Sequence, residues 1–131
     1  MIVLDASAAL EIALRTDPGA RLRQRITDAD ETLHAPHLID LEVAQALRRY
    51  ERLRDLRSPD AETVLHDFGE IPLERYPHDP LLPRIWELRR NATAYDAAYL
   101  ALAEKLEATL LTSDSKMASV PGHSARVEVV R

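Results

Sequence analysis

The chain opens on Met1-Ile-Val-Leu, a short apolar run that stops abruptly at Asp5, and a second such run, Ala108 to Thr112, stops at Ser113-Asp114. Short runs of this kind, without polar alternation, are how strands covered on both faces read. Helical patterns fill the chain between them. Buried strands alternating with helices imply a parallel sheet packed on both sides. The pattern predicts an α/β fold, a three-layer α/β/α sandwich with a mostly parallel sheet of about five strands. With 131 residues and no linker or repeat, residues 1–131 are expected to form one domain.

Ser7 is placed to cap a first helix whose apolar positions are Ala8, Ala9, Leu10, Ile12, Ala13 and Leu14. Asp17-Pro18-Gly19 is expected to end this segment, before a more polar helix from Ala20 to Ala29. Thr32 to Ala35 reads as a weak strand. Pro36 suits the first turn of a helix with Leu38, Leu41, Val43, Ala44, Leu47, Tyr50 and Leu53 inward. Ser58-Pro59-Asp60 opens another, running to about Phe68. Ile71 to Tyr76 reads as a strand that Pro72 assigns to an edge or a strand start. Asp79-Pro80 caps a helix through Arg90, with Leu82, Ile85, Trp86 and Leu88 inward. Thr93 begins a helix to about Glu107 that is apolar nearly all round and so deeply buried. A final strand spans Arg126 to Val130.

The absence of cysteine excludes disulfides, thiolate zinc sites and cysteine nucleophiles, and suits a reducing cytosol. No apolar stretch is long enough for a membrane span, and Asp5 interrupts what would be a secretory signal. A cytoplasmic protein with no membrane partner is expected. The net charge of -5 runs against the basic balance of most nucleic-acid binders. Divalent ions on four carboxylates would offset most of it. Positive charge is also concentrated: Arg48 to Arg57 reads RRYERLRDLR. That run fits a solvated helix face with intrahelical ion pairs as well as a phosphate- or partner-binding face.

Asp5 and Asp114 each follow a buried strand, and ligands of open parallel sheets gather at the carboxyl ends of strands where the strand order reverses. Glu42 and Asp96 lie near the starts of two helices, which face the same edge if the crossovers are right-handed. Each acid has a structural alternative. Thr93-Ala-Tyr-Asp96 matches a capping box, Asp114 can cap Ser115 to Ala118, and Asp5 can serve a strand-end turn. Glu42 stands among Leu41, Val43, Ala44 and Leu47, where a solvent-facing acid is less expected. Asp40 competes with it, but residues two apart on a helix point to nearly opposite faces. Glu42 is chosen and Asp40 held in reserve.

Four acids in one crevice without a basic neighbour need a cation. Hard oxygen ligands suit magnesium or manganese. Zinc fits less well, since His34 and His37 are the only close histidine pair and read as ordinary residues of a strand–helix junction. The hydroxyls of Ser7, Thr112 and Ser113 can support bound water or phosphate, or serve caps and turns.

The segments Val3-Leu-Asp-Ala-Ser7, Pro36-His-Leu-Ile-Asp-Leu-Glu-Val43, Thr93-Ala-Tyr-Asp-Ala-Ala-Tyr-Leu-Ala-Leu-Ala-Glu104 and Leu111-Thr-Ser-Asp114 resemble the PIN-domain family. More narrowly, they resemble the VapC-type toxins of bacterial toxin–antitoxin pairs, in order and over essentially the whole chain. The resemblance implies about five parallel strands and an acidic site that holds Mg2+, with Mn2+ as substitute, for RNA cleavage. Asp5, Glu42, Asp96 and Asp114 occupy the acidic positions and Ser7 the small hydroxyl position. Homodimers and neutralisation by a cognate VapB-type antitoxin are also implied. Arg48, Arg49 and Arg52 are candidate contacts to RNA or to the antitoxin. A non-catalytic interaction protein on the same fold is the main alternative. A phosphatase-like hydrolase would need a second acid where Ser7 stands.

Overall fold

The computed structural model describes residues 1–131. It runs β1 (Ile2–Leu4), α1 (Ala6–Leu14), α2 (Asp17–Asp28), β2 (Leu33–Pro36), α3 (Ile39–Arg52), α4 (Ser58–Gly69), β3 (Leu73–Tyr76), a 3₁₀ turn (Asp79–Leu81), α5 (Leu82–Glu87), α6 (Ala94–Leu106), β4 (Thr109–Thr112), α7 (Ser115–Ala118) and β5 (Arg126–Val129). The strands form one five-stranded sheet in the order β3-β2-β1-β4-β5, and every pairing is parallel. This is the α/β/α sandwich that the alternation of apolar runs and helices implies. β1 is central, and Ile2, Val3 and Leu4 are fully buried.

From β1 the chain moves outward through β2 to β3, then returns across the sheet to β4 and β5. Right-handed crossovers place the outward helices on one face and the returning helices on the other. Accordingly α1 packs on α2, α3 and α4, while α6 packs on α5 and lies across β1, β2 and β4. Ala97, Ala98, Ala101 and Ala103 let α6 approach the sheet closely, and every residue from Ala97 to Ala103 is buried. The direction reverses between β1 and β4, which opens a crevice at their carboxyl ends.

Four local expectations need correction. Asp17-Pro18-Gly19 opens α2 instead of ending a segment: Thr16 Oγ1 accepts the Gly19 amide at 3.1 Å, and Pro18 sits in the first turn, where its missing N–H is harmless. Pro36 closes β2, in register with Tyr76, so α3 starts three residues later. The inward stripe of α3 is Ile39, Val43, Ala46 and Leu47, whereas Leu41 is 75% exposed and Ala44 and Leu53 also face solvent. On α5 the buried line runs through Leu81, Ile85 and Leu88, four and three residues apart on one helical side. Leu82 and Trp86, one position on from the first two, are exposed. The Arg89 guanidinium covers one face of the Trp86 ring at 4.5 Å.

His34 is buried between β2 and β3, with one ring nitrogen 2.7 Å from Tyr76 Oη and the other 2.8 Å from Thr32 Oγ1. Both nitrogens are thereby occupied, one tying β2 to the edge strand β3 and the other bonding within the segment that leads into β2. No helix is long and apolar enough to cross a membrane.

At Gly19 the backbone of α2 lies against that of α1. A Cβ there would stand 2.0 Å from the Glu11 carbonyl oxygen of α1, whereas one on Gly69 would meet nothing within 4 Å. Gly19→Ala is expected to cost about 1–3 kcal/mol through overpacking against backbone. Gly69→Ala, at the end of α4, should be neutral or stabilising by up to about 1 kcal/mol. Paired urea titrations check both, and equal midpoints for the two variants would contradict the packing account.

Candidate active site

Asp5 sits one residue past β1 with an extended backbone, and it caps α1. Its Oδ1 accepts the Ala8 amide at 2.9 Å and the Ser7 hydroxyl at 2.7 Å, while Oδ2 accepts the Thr112 hydroxyl at 2.6 Å. Ser7 is therefore not the helix cap. It lies in the first turn, and its oxygen also accepts the Ser113 amide at 3.1 Å. Thr112 Oγ1 accepts the Asp114 amide at 3.0 Å. These bonds stitch the loop after β1 to the loop after β4, and leave Asp5 only 4% exposed. Ser113 contributes its amide to this lattice and not its hydroxyl. A carboxylate offers about four acceptor positions. Three are filled, and the open one is on Oδ2.

Glu42 projects from the first turn of α3 and is half-buried. Its Oε1 accepts the phenolic hydrogen of Tyr99 at 2.7 Å. Tyr99 comes from α6, on the other face of the sheet, so this bond crosses the carboxyl edge. Tyr99 was not among the residues singled out by sequence. The available signals were its place three residues after Asp96, hence on the same helical side, and the need of a buried phenol for a polar partner. Asp40 is engaged elsewhere, in a two-pronged ion pair with Arg75 of β3 at 2.8 and 2.9 Å. Of the two competing acids, only Glu42 faces the crevice.

Asp96 is the third residue of α6. Its amide donates to Thr93 Oγ1 at 3.1 Å, so half of a capping box forms. The other half does not: the half-buried Asp96 carboxylate accepts no hydrogen bond from the protein. Asp114 is exposed and caps α7 by accepting the Lys116 amide at 3.0 Å, which occupies one oxygen.

The four acids act on one another. Burial pushes the Asp5 carboxyl up, and the Asp114 charge adds to this against the pull of Thr112, Ala8 and Ser7. Glu42 is raised by burial and then by Asp96 and Asp5, opposed by the Tyr99 bond. Asp96 is raised by burial and by Asp114. None of the four takes part in a salt bridge. No three carboxylates converge closely enough to form a closed protein ligand shell. A cavity of about 790 Å³ lies at the opposite, amino edge of the sheet, between Ile12, Arg23, Leu33 and Ile71, and contains none of these acids.

Arg48, Arg49 and Arg52 are exposed on α3. They form no ion pairs with Glu51 or Asp55. Within the arginine-rich run only Arg57 is paired, with Asp60 at 3.1 Å.

Because Asp5, Glu42 and Asp96 are raised above their ordinary values, their charges oppose folding when no cation is present. The opposition is absent below the ordinary carboxylate range and grows as pH rises through the raised values. Glu42→Gln keeps an oxygen for Tyr99 and removes a charge. It is expected to raise the metal-free melting temperature at neutral pH, with the gain vanishing as pH falls toward 4.5, the ordinary value for Glu. Melts in chelator at both ends of that range check this. A gain independent of pH would refute it.

The PIN domain family model matches residues 2–123. The chain is 44% identical over 130 residues to ribonuclease VapC9 of Mycobacterium tuberculosis, spanning 99% of this chain and 98% of the relative. It is 40% identical to ribonuclease VapC12 of the same organism, with 99% of each chain covered. Among solved structures, PAE2754 from Pyrobaculum aerophilum superposes with a TM-score of 0.67 at 25% identity, covering 96% of this chain and 82% of that one. VapBC2 from Rickettsia felis, bound to a promoter DNA fragment, gives 0.72 at 16% identity over the whole of both chains. With the family model spanning nearly all of it and relatives above 30% identity at full length, the chain belongs to the PIN-domain family.

Proposed function

We propose that this chain is a ribonuclease that hydrolyses RNA phosphodiester bonds with magnesium, or manganese in its place, held in the crevice between β1 and β4. The observation that carries the proposal is the Asp96 carboxylate. It is half-buried, without a protein hydrogen-bond donor, and shares its crevice with three further acids and no basic side chain. Uncompensated carboxylates of this kind are costly unless a cation is bound there. Support also comes from the names of the relatives that match at full length, which are ribonucleases.

The donor set fits a hard cation. All four groups are carboxylate oxygens, and the lack of a three-ligand protein shell suits an ion that binds through one or two carboxylates and retains several waters. Asp5 offers its one open position on Oδ2, aimed by three hydrogen bonds. Asp96 offers its whole carboxylate. Glu42 offers Oε2, held in place because Tyr99 restrains Oε1. Asp114 at the rim retains one oxygen while the other caps α7. Ser7 and Thr112 donate their hydroxyl hydrogens to Asp5, so they orient the acid and do not reach for phosphate. The bound ion would supply positive charge beside the scissile phosphate and lower the pKa of the attacking water.

A cognate antitoxin that covers the crevice, a homodimer and a cytoplasmic place of action belong to the same proposal. The VapBC2 neighbour, whose similarity extends over the whole chain, supports the antitoxin. Exposed Leu82 and Trp86 on α5 support a surface for a second protein chain.

Asp5→Asn and Asp96→Asn are each expected to abolish magnesium-dependent cleavage of RNA and to weaken manganese binding in calorimetry, with the far-ultraviolet circular dichroism unchanged. Full cleavage by either variant would remove the assignment. Thr112→Val deletes the hydrogen bond to Asp5 and the acceptor for the Asp114 amide but no ligand, and should reduce metal affinity or activity by about 10–100-fold.

A further inference from the structure

We propose that Arg49 is a substrate-binding residue, extending the acidic crevice along α3 by contacting an RNA phosphate that flanks the scissile one. The inference rests on the ribonuclease reading above and adds to it a residue and a direction for the bound strand. Each residue of an α-helix turns the chain by about 100° and advances it by about 1.5 Å. Arg49, seven residues after Glu42, therefore returns to within about 20° of the Glu42 line and lies roughly 10 Å farther along the axis. Arg48 falls about 120° away, on the outer face.

The two shoulders of α3 have different surroundings. Ile39, Val43, Ala46 and Leu47 form its buried face. Asp40 occupies the shoulder toward β3, where Arg75 engages it. Glu42 occupies the other shoulder, which opens on the crevice, and Arg49 continues that same line. The Cα–Cβ bonds of a helix tilt toward its N-terminus, the direction that leads from Arg49 to Glu42. Its guanidinium is exposed and makes no ion pair, although Glu51 and Asp55 are close in sequence.

An RNA strand entering this crevice brings phosphates toward four carboxylates. An unpaired arginine whose position lies roughly 10 Å along the α3 axis from Glu42 is about one Debye length from it. It can attract a flanking phosphate without neutralising the acids themselves. Arginine also suits phosphate through its two-pronged donor geometry.

The test measures binding of a short fluorescent single-stranded RNA of random sequence by anisotropy, across a salt series with magnesium. Asp96→Asn serves as background to prevent cleavage. Arg49→Gln should weaken binding and flatten the slope of log affinity against log salt by about 0.7, the loss of one phosphate contact. Arg49→Lys should restore the slope, and Arg48→Gln should leave it unchanged. With the Asp96 background omitted, Arg49→Gln should raise KM more than it lowers kcat. An unchanged slope in Arg49→Gln, or an equal fall in Arg48→Gln, overturns the proposal and leaves this arginine strip to a protein partner. If the unaltered chain still cleaves RNA in that case, the ribonuclease reading stands without Arg49. If the unaltered chain neither binds nor cleaves RNA, both fall.

Discussion

The three hydrogen bonds to Asp5 are the constraint on which the site depends. A carboxylate at the end of a central strand loses nearly all its water, a penalty that donors from Ala8, Ser7 and Thr112 offset in part. One of those donors begins α1, so the same acid that faces the crevice also sets the helix that leaves it. Another comes from the end of β4, more than a hundred residues away in sequence. Through Ser7 and the Ser113 amide the two loops are tied again. The chemistry-bearing edge is thus tied together by its principal acid, which is part of the backbone architecture.

Charge is sorted by location. Where arginines serve the fold, they are paired: Arg75 with Asp40 beside β3, Arg84 with Glu104 between α5 and α6, and Arg25 with Glu128 between α2 and β5. The acids of the crevice have no such partners, and burial together with mutual repulsion raises three of them. That is a local cost to the metal-free fold, carried by an otherwise well-packed core. Departures from locally optimal electrostatics are expected where a site must hold something that the chain itself does not contain. The net charge of -5 is a poor guide to this protein because it sums over groups with different roles.

Much of the fold was legible because its strands at the reversal point are short and covered on both sides, leaving unbroken apolar runs at Ile2–Leu4 and Thr109–Thr112. The alanine-rich α6 was equally plain. The failures are those of phase and punctuation. Gly19 follows a proline and suggested a stop, yet it lies in the first turn of α2, where α1 leaves no room for a side chain. Trp86 is apolar at a helical spacing, yet the buried line of this segment runs through Leu81, Ile85 and Leu88 and leaves it in solvent. Pro36 suggested the start of α3, yet it completes a strand, which only its pairing with β3 reveals.

By itself the sequence determined that acids stand at the ends of apolar strands and near helix starts, since hydrophobic periodicity and order along the chain are local properties. Whether those acids meet is not local. Strand order brings Asp5 and Asp114 to one reversal point, and a bond across the sheet edge, from Tyr99 to Glu42, aligns two helices from opposite faces. The same distinction separates Glu42 from Asp40, because Arg75 engages only the latter. Asp96, whose sequence matched a cap, keeps a free carboxylate because its side chain does not return to Thr93. Partner choice depends on distances between residues far apart in sequence, and only the folded chain sets those distances.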